Sequence, residues 1–246
     1  MHAAGVAAWR DFYDHVSGGN RASALCVSKD FRKLPETDEP FSEQQSNTQM
    51  ITDPQRFTTT IARFDAANAQ DPNREDGQPR ELLYAERMTA MLERFAPDAS
   101  EAVRLAVRAQ HIQRWLTPRS TYPAGRLGYL KWRAGLYQFH AETAATIMAE
   151  TGYDAALIAR VKAAVSKQDL KANSETQLLE DVSALVFLEH YLAGFAALHP
   201  DYDEAKWLGI IRKTWRKMSD AAHAFVLARQ IQLPDALAPL IQKAVG

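Results

Sequence analysis

The stretch RAQHIQRW, residues 108–115, carries side chains that could do chemistry. His111 and Arg114 are three residues apart and therefore share one side of a helix, and an imidazole beside a guanidinium suits acid–base catalysis or anion binding. His111 also continues an apolar stripe that begins with Val103 and Val107, which predicts that its ring points into the protein. The pattern leaves open whether His111 is a hydrogen-bonded core histidine or a site residue.

Three other polar residues fall on the apolar faces of different predicted helices. His140 and Asp181 each lie on a well-defined stripe, and Glu86 lies on a looser one. A buried carboxylate is costly unless it is paired or coordinates an ion, so Asp181 needs a partner. The candidates are His111, His140, Arg114 and a metal ion, and a plain salt bridge to an arginine is the structural alternative.

Between Glu101 and Glu142 the chain has no acidic residue and seven cationic ones. Arginine binds phosphate in a bidentate way, so this interval predicts an anionic ligand, a phosphate or a nucleotide. Aromatic residues interleave with the cations and could stack on a base or ring. The alternative is a solvated surface that is neutralised by acidic residues elsewhere. We expect the ligand-binding residues to be Arg114, Arg119, Arg126 and Trp115, with Tyr122, Tyr129 and Trp132 as further aromatic candidates.

Composition excludes several classes of protein. The 246 residues have a net charge of −1, 46% hydrophobic and 24% charged side chains, which predicts a globular domain and indicates against nucleic acid as a partner. One cysteine, Cys26, excludes an internal disulfide framework and favours a reducing, cytoplasmic setting. No apolar run approaches the roughly 18 residues that span a bilayer, so we expect no membrane partner.

The elements that must position these residues are helical. The composition of residues 1–49 predicts a disordered extension or linker. A natural translation start at Met50 is an alternative explanation of this segment. The pattern of residues 50–246 predicts one all-α domain. Strand signals are absent, and 71–79 predicts a loop. Predicted helix starts carry caps at Asp53 with Pro54, Asp98 with Glu101, Asp154, Ser174 and Ser219. The predicted helices cover about 54–69, 80–95, 98–116, 126–150, a segment from 154, 175–198, and two or three more within 203–244.

Several blocks resemble an uncharacterised family, domain of unknown function 4202. They are RFTTTIARFDAANAQDPN, ELLYAERMTAMLERFAPDASEAVRLAVRAQHIQRW, YLKWRAGLYQFHAETA, QLLEDVSALVFLEHY and IRKTWRKMS, and they follow one another in that family's order. The resemblance covers about residues 54–243. It implies no particular activity.

A more distant resemblance is to the HD-domain metal phosphohydrolases, which are all-helical. It implies an HD-like bundle and a site in which His111 matches the histidine of the His-Asp pair. The partner aspartate of that pair is Ile112 here, which puts a two-metal site in doubt. With isoleucine at this position, two kinds of site remain possible. One holds a single Mn, Fe, Zn or Mg ion, and the other is metal-free, with His111 and Arg114 binding a phosphate. The metal ligands that the resemblance implies are Glu86, His111, His140 and Asp181.

Three functions follow as hypotheses. The first is a metal-dependent phosphohydrolase for a nucleotide or phosphorylated small molecule, with His111, Asp181 and Arg114 as catalytic residues. The second is a degenerate protein that binds the phosphate without metal chemistry. The third is a helical interaction module that docks an acidic partner. The segment RKMSD, 216–220, is similar to a synthetase signature, but a glutamyl-tRNA synthetase needs a parallel-sheet nucleotide fold that this helical chain does not predict.

Overall fold

The computed structural model describes residues 51–233 and 237–245, and the regular structure in this part of the chain is almost all helical. The all-α fold class is therefore confirmed. The predicted extension at 1–49 lies outside the described residues. The helices are α1 (Pro54–Asn68), α2 (Arg80–Phe95), α3 (Glu101–Ala109), α4 (Gly125–Glu150), α5 (Ala155–Val165), α6 (Ser174–Val186), α7 (Leu192–Leu198), α8 (Glu204–Trp215), α9 (Asp220–Leu227) and α10 (Ala238–Val245).

Side-chain caps define most helix starts. Asp53 caps α1 ahead of Pro54, Asp154 caps α5 and Ser219 caps α9, all as predicted. Two predicted caps were wrong by one or two positions. The side chain of Ser100, not Asp98, accepts the hydrogen bond at the start of α3, and Asn173, not Ser174, caps α6.

A small hairpin interrupts the predicted loop 71–79. Strands β1 (Arg74–Glu75) and β2 (Gln78–Pro79) pair in antiparallel register. Asp76 and Gly77 connect them with φ angles of 51° and 79°, the left-handed geometry that an Asp-Gly turn adopts between paired strands. The prediction that strands are absent was therefore wrong at this one turn.

The third helix ends earlier than its apolar stripe suggests. It was predicted to reach Leu116, but α3 ends at Ala109, and Gln113 has a left-handed φ of 52°. The backbone N–H of Gln113 donates to Oδ1 of Asn68 at 2.9 Å. This buried amide at the end of α1 holds a sharp corner, and His111 and Arg114 lie on that corner.

The core is built around a central helical rod, α6, a π-helical segment (Phe187–Tyr191) and α7. Leu185, Phe187 and Phe195 on this rod are fully buried, and one cluster of buried apolar residues includes members from α1 to α10. The span Ser174–Leu198 is long and apolar enough to cross a membrane, yet 61% of its 18-residue apolar window is buried inside the protein. A buried core helix has the same length and composition, so this feature is weak evidence for a membrane.

Candidate anion-binding site

A pocket lies between the corner after α3, one face of α4 and the end of α5. About 320 Å³ of empty space lies between and around its lining residues, solvent at its opening included, and the space that these side chains enclose is about 10 Å³. The corner contributes Gln110, His111 and Arg114, and the chain after α5 contributes Val165 and Lys167. The face of α4 contributes Tyr129, Trp132, Arg133, Leu136, Tyr137 and His140.

Three cationic side chains line this pocket, and no carboxylate does. Within residues 51–233 and 237–245, Arg114 and Arg133 form no ion pair. Arg133 instead donates from Nε to Oη of Tyr137 at 2.7 Å, and the guanidinium of Arg114 lies 5.3 Å from the ring centroid of Trp132. The pocket therefore carries a surplus of positive charge on groups that can still take up an anion.

Behind the pocket, two ammonium groups share one carboxylate. The side chain of Glu180 is buried, with Nζ of Lys167 at 3.1 Å and Nζ of Lys217 at 3.4 Å. Burial alone would raise the pKa of Glu180, but the two lysines lower it to about 2. Burial also lowers the pKa of Lys167, and Glu180 opposes that effect. This buried group keeps a net positive charge next to the pocket.

His140 is held in one tautomer. Its Nδ1 lies 2.8 Å from the carbonyl oxygen of Ile112, which can only accept, so Nδ1 carries the proton. Burial, followed by His111 and Arg114, lowers the pKa of His140 to about 3, and the ring is neutral at pH 7. Its Nε2 is buried and has no hydrogen-bond partner. Nε2 is therefore an unused acceptor at the pocket wall.

His111 is packed between Tyr84 and His140. Its ring stacks on Tyr84 with centroids 4.2 Å apart and lies 5.9 Å from the ring of His140. Nδ1 is 3.5 Å from Oε2 of Glu81, which favours the charged ring, yet this contact is longer than a normal hydrogen bond. Burial outweighs it, and together with Arg114 it lowers the pKa of His111 well below its usual value. His111 is therefore also neutral at pH 7.

The four implied metal ligands are not brought together. His111 and His140 are neighbours, but Asp181 accepts hydrogen bonds from the backbone N–H and Oγ of Ser219 at 2.7 and 2.6 Å, at the start of α9. Glu86 is exposed on α2. In the described ranges, no group of three or more His, Cys, Asp and Glu side chains is arranged to hold a metal. Metal binding therefore stays a prediction, and the four residues implied as ligands do not form one ligand set in the described fold.

The seven cationic residues between Glu101 and Glu142 make different contacts in the structure. Arg108 forms a bidentate pair with Asp65 at 2.6 and 2.8 Å, and Arg104 bonds to backbone carbonyls. Arg119, expected at the ligand, donates to the carbonyls of Tyr122, Pro123 and Gly125 and so ties the loop before α4. Arg126 and Lys131 are exposed, and Trp115 does not line the pocket. Of this interval, only Arg114 and Arg133 contribute their charge to the pocket.

Several pocket residues were missed from the sequence. On α4, Tyr129 and Trp132 were expected as aromatic candidates, but Arg133, Leu136 and Tyr137 were not assigned to the site. These three lie seven, four and three positions before His140, so the helical period contained the information that they share its face. Lys167 lies in a turn with a left-handed φ of 60°, and Gln110 lies at the end of α3. No periodic pattern marks either of these two. Glu81, which contacts His111, is five positions before the expected Glu86.

The comparisons with known proteins give one match. A family model described as Domain of unknown function (DUF4202) matches residues 58–241. No curated protein matches the chain. No solved structure matches it either, and the resemblance to HD-domain phosphohydrolases therefore stays a prediction.

Proposed function

The chain belongs to the DUF4202 family, and we propose that it binds a small phosphorylated molecule in the pocket between α3, α4 and α5. The observation that carries this proposal is the pair Arg114 and Arg133, which line the pocket without an ion-pair partner in the described chain. Lys167 adds a third cationic group, and its carboxylate partner also serves Lys217.

Physical chemistry favours an anion here. Cations that line one pocket repel each other, and a carboxylate-free lining leaves this repulsion uncompensated. A phosphate group supplies several acceptor oxygens and two negative charges, and the planar fork of arginine matches its geometry. Both histidines are neutral at pH 7, so the positive charge of the pocket lies on Arg114, Arg133 and Lys167. A phosphate group fits the charge of the pocket better than a neutral ligand does.

The size of the pocket limits what enters. The space that the lining side chains enclose is about 10 Å³, room for about one water molecule, so a phosphate group enters as these side chains move apart. Tyr129 and Trp132 line the same pocket and offer apolar contact to the remainder of the ligand. We therefore favour a phosphorylated small molecule, or the phosphate end of a nucleotide, over a whole nucleotide enclosed in the pocket.

The test is a calorimetric titration with inorganic phosphate and with phosphorylated small molecules. We expect saturable binding and a melting temperature that rises with ligand concentration by mass action. Arg114→Met and Arg133→Met should each weaken binding by tenfold or more, since a charged hydrogen bond contributes about 1.5–3 kcal/mol.

Arg126→Met is the matched control, because Arg126 is exposed on the same helix as Arg133 and does not line the pocket. It should bind like the wild type. Phosphate also stabilises proteins by exclusion from their surface, so sulfate and chloride at equal ionic strength are included. The proposal fails if binding does not saturate, or if Arg114→Met and Arg126→Met bind equally.

A metal-dependent phosphohydrolase is the second candidate. One observation favours it: His140 donates Nδ1–H to a backbone carbonyl and leaves Nε2 open, as metal-ligating histidines do. Elemental analysis of the purified protein distinguishes the two functions. About one Mn, Fe, Zn or Mg per chain, lost in His111→Ala and in His140→Asn, would support the hydrolase. Binding of phosphate with no metal present would support the first proposal.

A further inference from the structure

Two buried residues of the pocket wall have unused hydrogen-bonding atoms. His140 and Gln110 are 2% and 3% exposed, and His140 Nε2 and one atom of the Gln110 amide find no partner. An unsatisfied buried polar atom is costly, and such atoms are rare in proteins. Their presence in one pocket indicates what a ligand has to supply there.

The free atom of His140 is an acceptor. Its Nδ1–H is committed to the carbonyl of Ile112, so the unprotonated Nε2 can only receive a proton. An unprotonated phosphate oxygen cannot bond to it, because both atoms are acceptors, and the cations of the pocket favour the fully ionised phosphate. The ligand group that meets Nε2 therefore differs from the group that meets Arg114 and Arg133.

The free atom of Gln110 is best assigned as an acceptor too. Oγ of Ser183 lies 2.8 Å from both Oε1 of Gln110 and the carbonyl oxygen of Leu179, yet a hydroxyl has one proton. Serine in a helix commonly donates to the carbonyl four residues before it. The amide of Gln110 then turns its NH₂ towards Ser183 and leaves its oxygen free, and amide orientation is set by such networks.

The required donor must be uncharged. An ammonium group would meet the repulsion of the cations Arg114, Arg133 and Lys167, which line the same pocket. A hydroxyl group is neutral, is small enough for the limited volume, and donates one proton. A hydroxyl close to a phosphate satisfies both sets of groups at once.

We propose that the ligand is a phosphorylated polyol or sugar, and that His140 Nε2 accepts a hydrogen bond from a hydroxyl near its phosphate. This inference rests on the proposed function and deepens it by naming the ligand class. His140 is the specificity-determining residue, whereas the arginines supply affinity for any phosphate.

The experiment compares two probes, glycerol 3-phosphate and propyl phosphate, which differ in hydroxyl groups and share the phosphate. By calorimetry, the wild type should bind glycerol 3-phosphate about five- to tenfold more tightly, the worth of one neutral hydrogen bond. In His140→Asn the preference should vanish, so that the two probes bind with equal affinity. Asparagine places a donor near the position of Nδ1 and can keep the bond to Ile112, so this variant is expected to fold.

A circular dichroism spectrum and a melting curve verify the fold of His140→Asn, and Gln110→Ala gives a second variant that lacks one of the two free acceptors. Equal affinity of the wild type for both probes overturns this inference and leaves phosphate binding standing. A preference that survives in His140→Asn overturns it as well. Stoichiometric Zn²⁺ binding that needs His140 assigns Nε2 to a metal instead. If neither phosphate binds, the proposed function fails together with this inference.

Discussion

The carbonyl oxygen of Ile112 lies 2.8 Å from Nδ1 of His140, and this contact fixes which nitrogen of the imidazole carries the proton. Ile112 occupies the position at which the HD-domain resemblance implies a metal-binding aspartate. In this fold its side chain is fully buried in the core and its backbone orients a neighbouring ring. The backbone of Ile112 thus orients His140, and the Ile112 side chain is not available to bind a ligand.

The buried histidines predict a loss of stability at mildly acidic pH. The pKa of His140 is about 3 in the folded protein, against 6.5 when the ring is exposed, so below pH 6.5 the unfolded chain takes up a proton that the folded chain does not. The free energy of unfolding should therefore fall as pH drops from 7 to 5, by about 1 kcal/mol per pH unit for such a group. Urea denaturation at pH 7, 6 and 5 measures this slope.

His140→Asn removes one of the two titrating rings and should reduce this slope, while His111, which is buried and neutral as well, continues to contribute to it. Glu180 does not interfere, because its pKa of about 2 places its own contribution below pH 4.5. An identical slope in the wild type and in His140→Asn would show that His140 is not the buried neutral group described here.

We expect substitution of Glu180 to lower the free energy of unfolding strongly. Glu180→Gln removes the carboxylate that pairs with both Lys167 and Lys217 and leaves these two buried ammonium groups without it. Removing one partner of a buried pair costs about 3–5 kcal/mol, so we expect a destabilisation of at least about 3 kcal/mol. Chemical denaturation measures it. The double variant Glu180→Gln, Lys167→Met should recover part of the loss, and a double variant no more stable than the single one would contradict the pairing.

We expect substitution of Asp181 to lower the stability of the fold without changing phosphate affinity. It orients Ser219, whose Oγ caps α9, and it also accepts from Nε2 of Gln177 at 2.9 Å. Asp181→Ala should cost about 1–3 kcal/mol, because these donors lose their acceptor. Phosphate affinity should not change. Glu86→Ala is the exposed carboxylate control and should alter neither quantity. A loss of bound metal in Asp181→Ala would instead return Asp181 to the site.

Ile112→Asp tests the HD resemblance directly. An aspartate at this fully buried apolar position should destabilise the protein by more than Ile112→Ala, which itself should cost about 2–5 kcal/mol. Thermal unfolding of both variants with and without Mn²⁺ measures this. A selective stabilisation of Ile112→Asp by Mn²⁺ would indicate that an HD metal site is rebuilt, and it would favour the hydrolase over simple binding.

Local signals made most of the helices predictable. The second helix matches its predicted bounds of 80–95, and the aspartate caps and Pro54 mark their helix starts because they act on neighbouring residues. The end of α3 was not predictable in this way. It depends on Asn68, which is 45 positions before its partner Gln113, and no local pattern records such a bond.

The site was predictable only in part for the same reason. His111, Arg114 and His140 meet at one pocket as expected, but only His140 lies on the inward face of a helix, whereas His111 and Arg114 lie on the corner after α3. Periodicity alone could not tell that Asp181 faces the start of α9, nor that the turn after α5 carries Lys167 to the pocket. An inward face gives the direction of a side chain but not its partner.

Asn68 belongs to no wall of the pocket, yet it pins the bend from which His111 and Arg114 project. A shortened protein that starts after α1 would keep every residue that touches the ligand. It would nevertheless lose the hydrogen bond to Asn68 that holds Gln113 in its left-handed conformation at this bend. The proposed ligand-binding surface thus depends on α1, a helix that does not line the pocket itself.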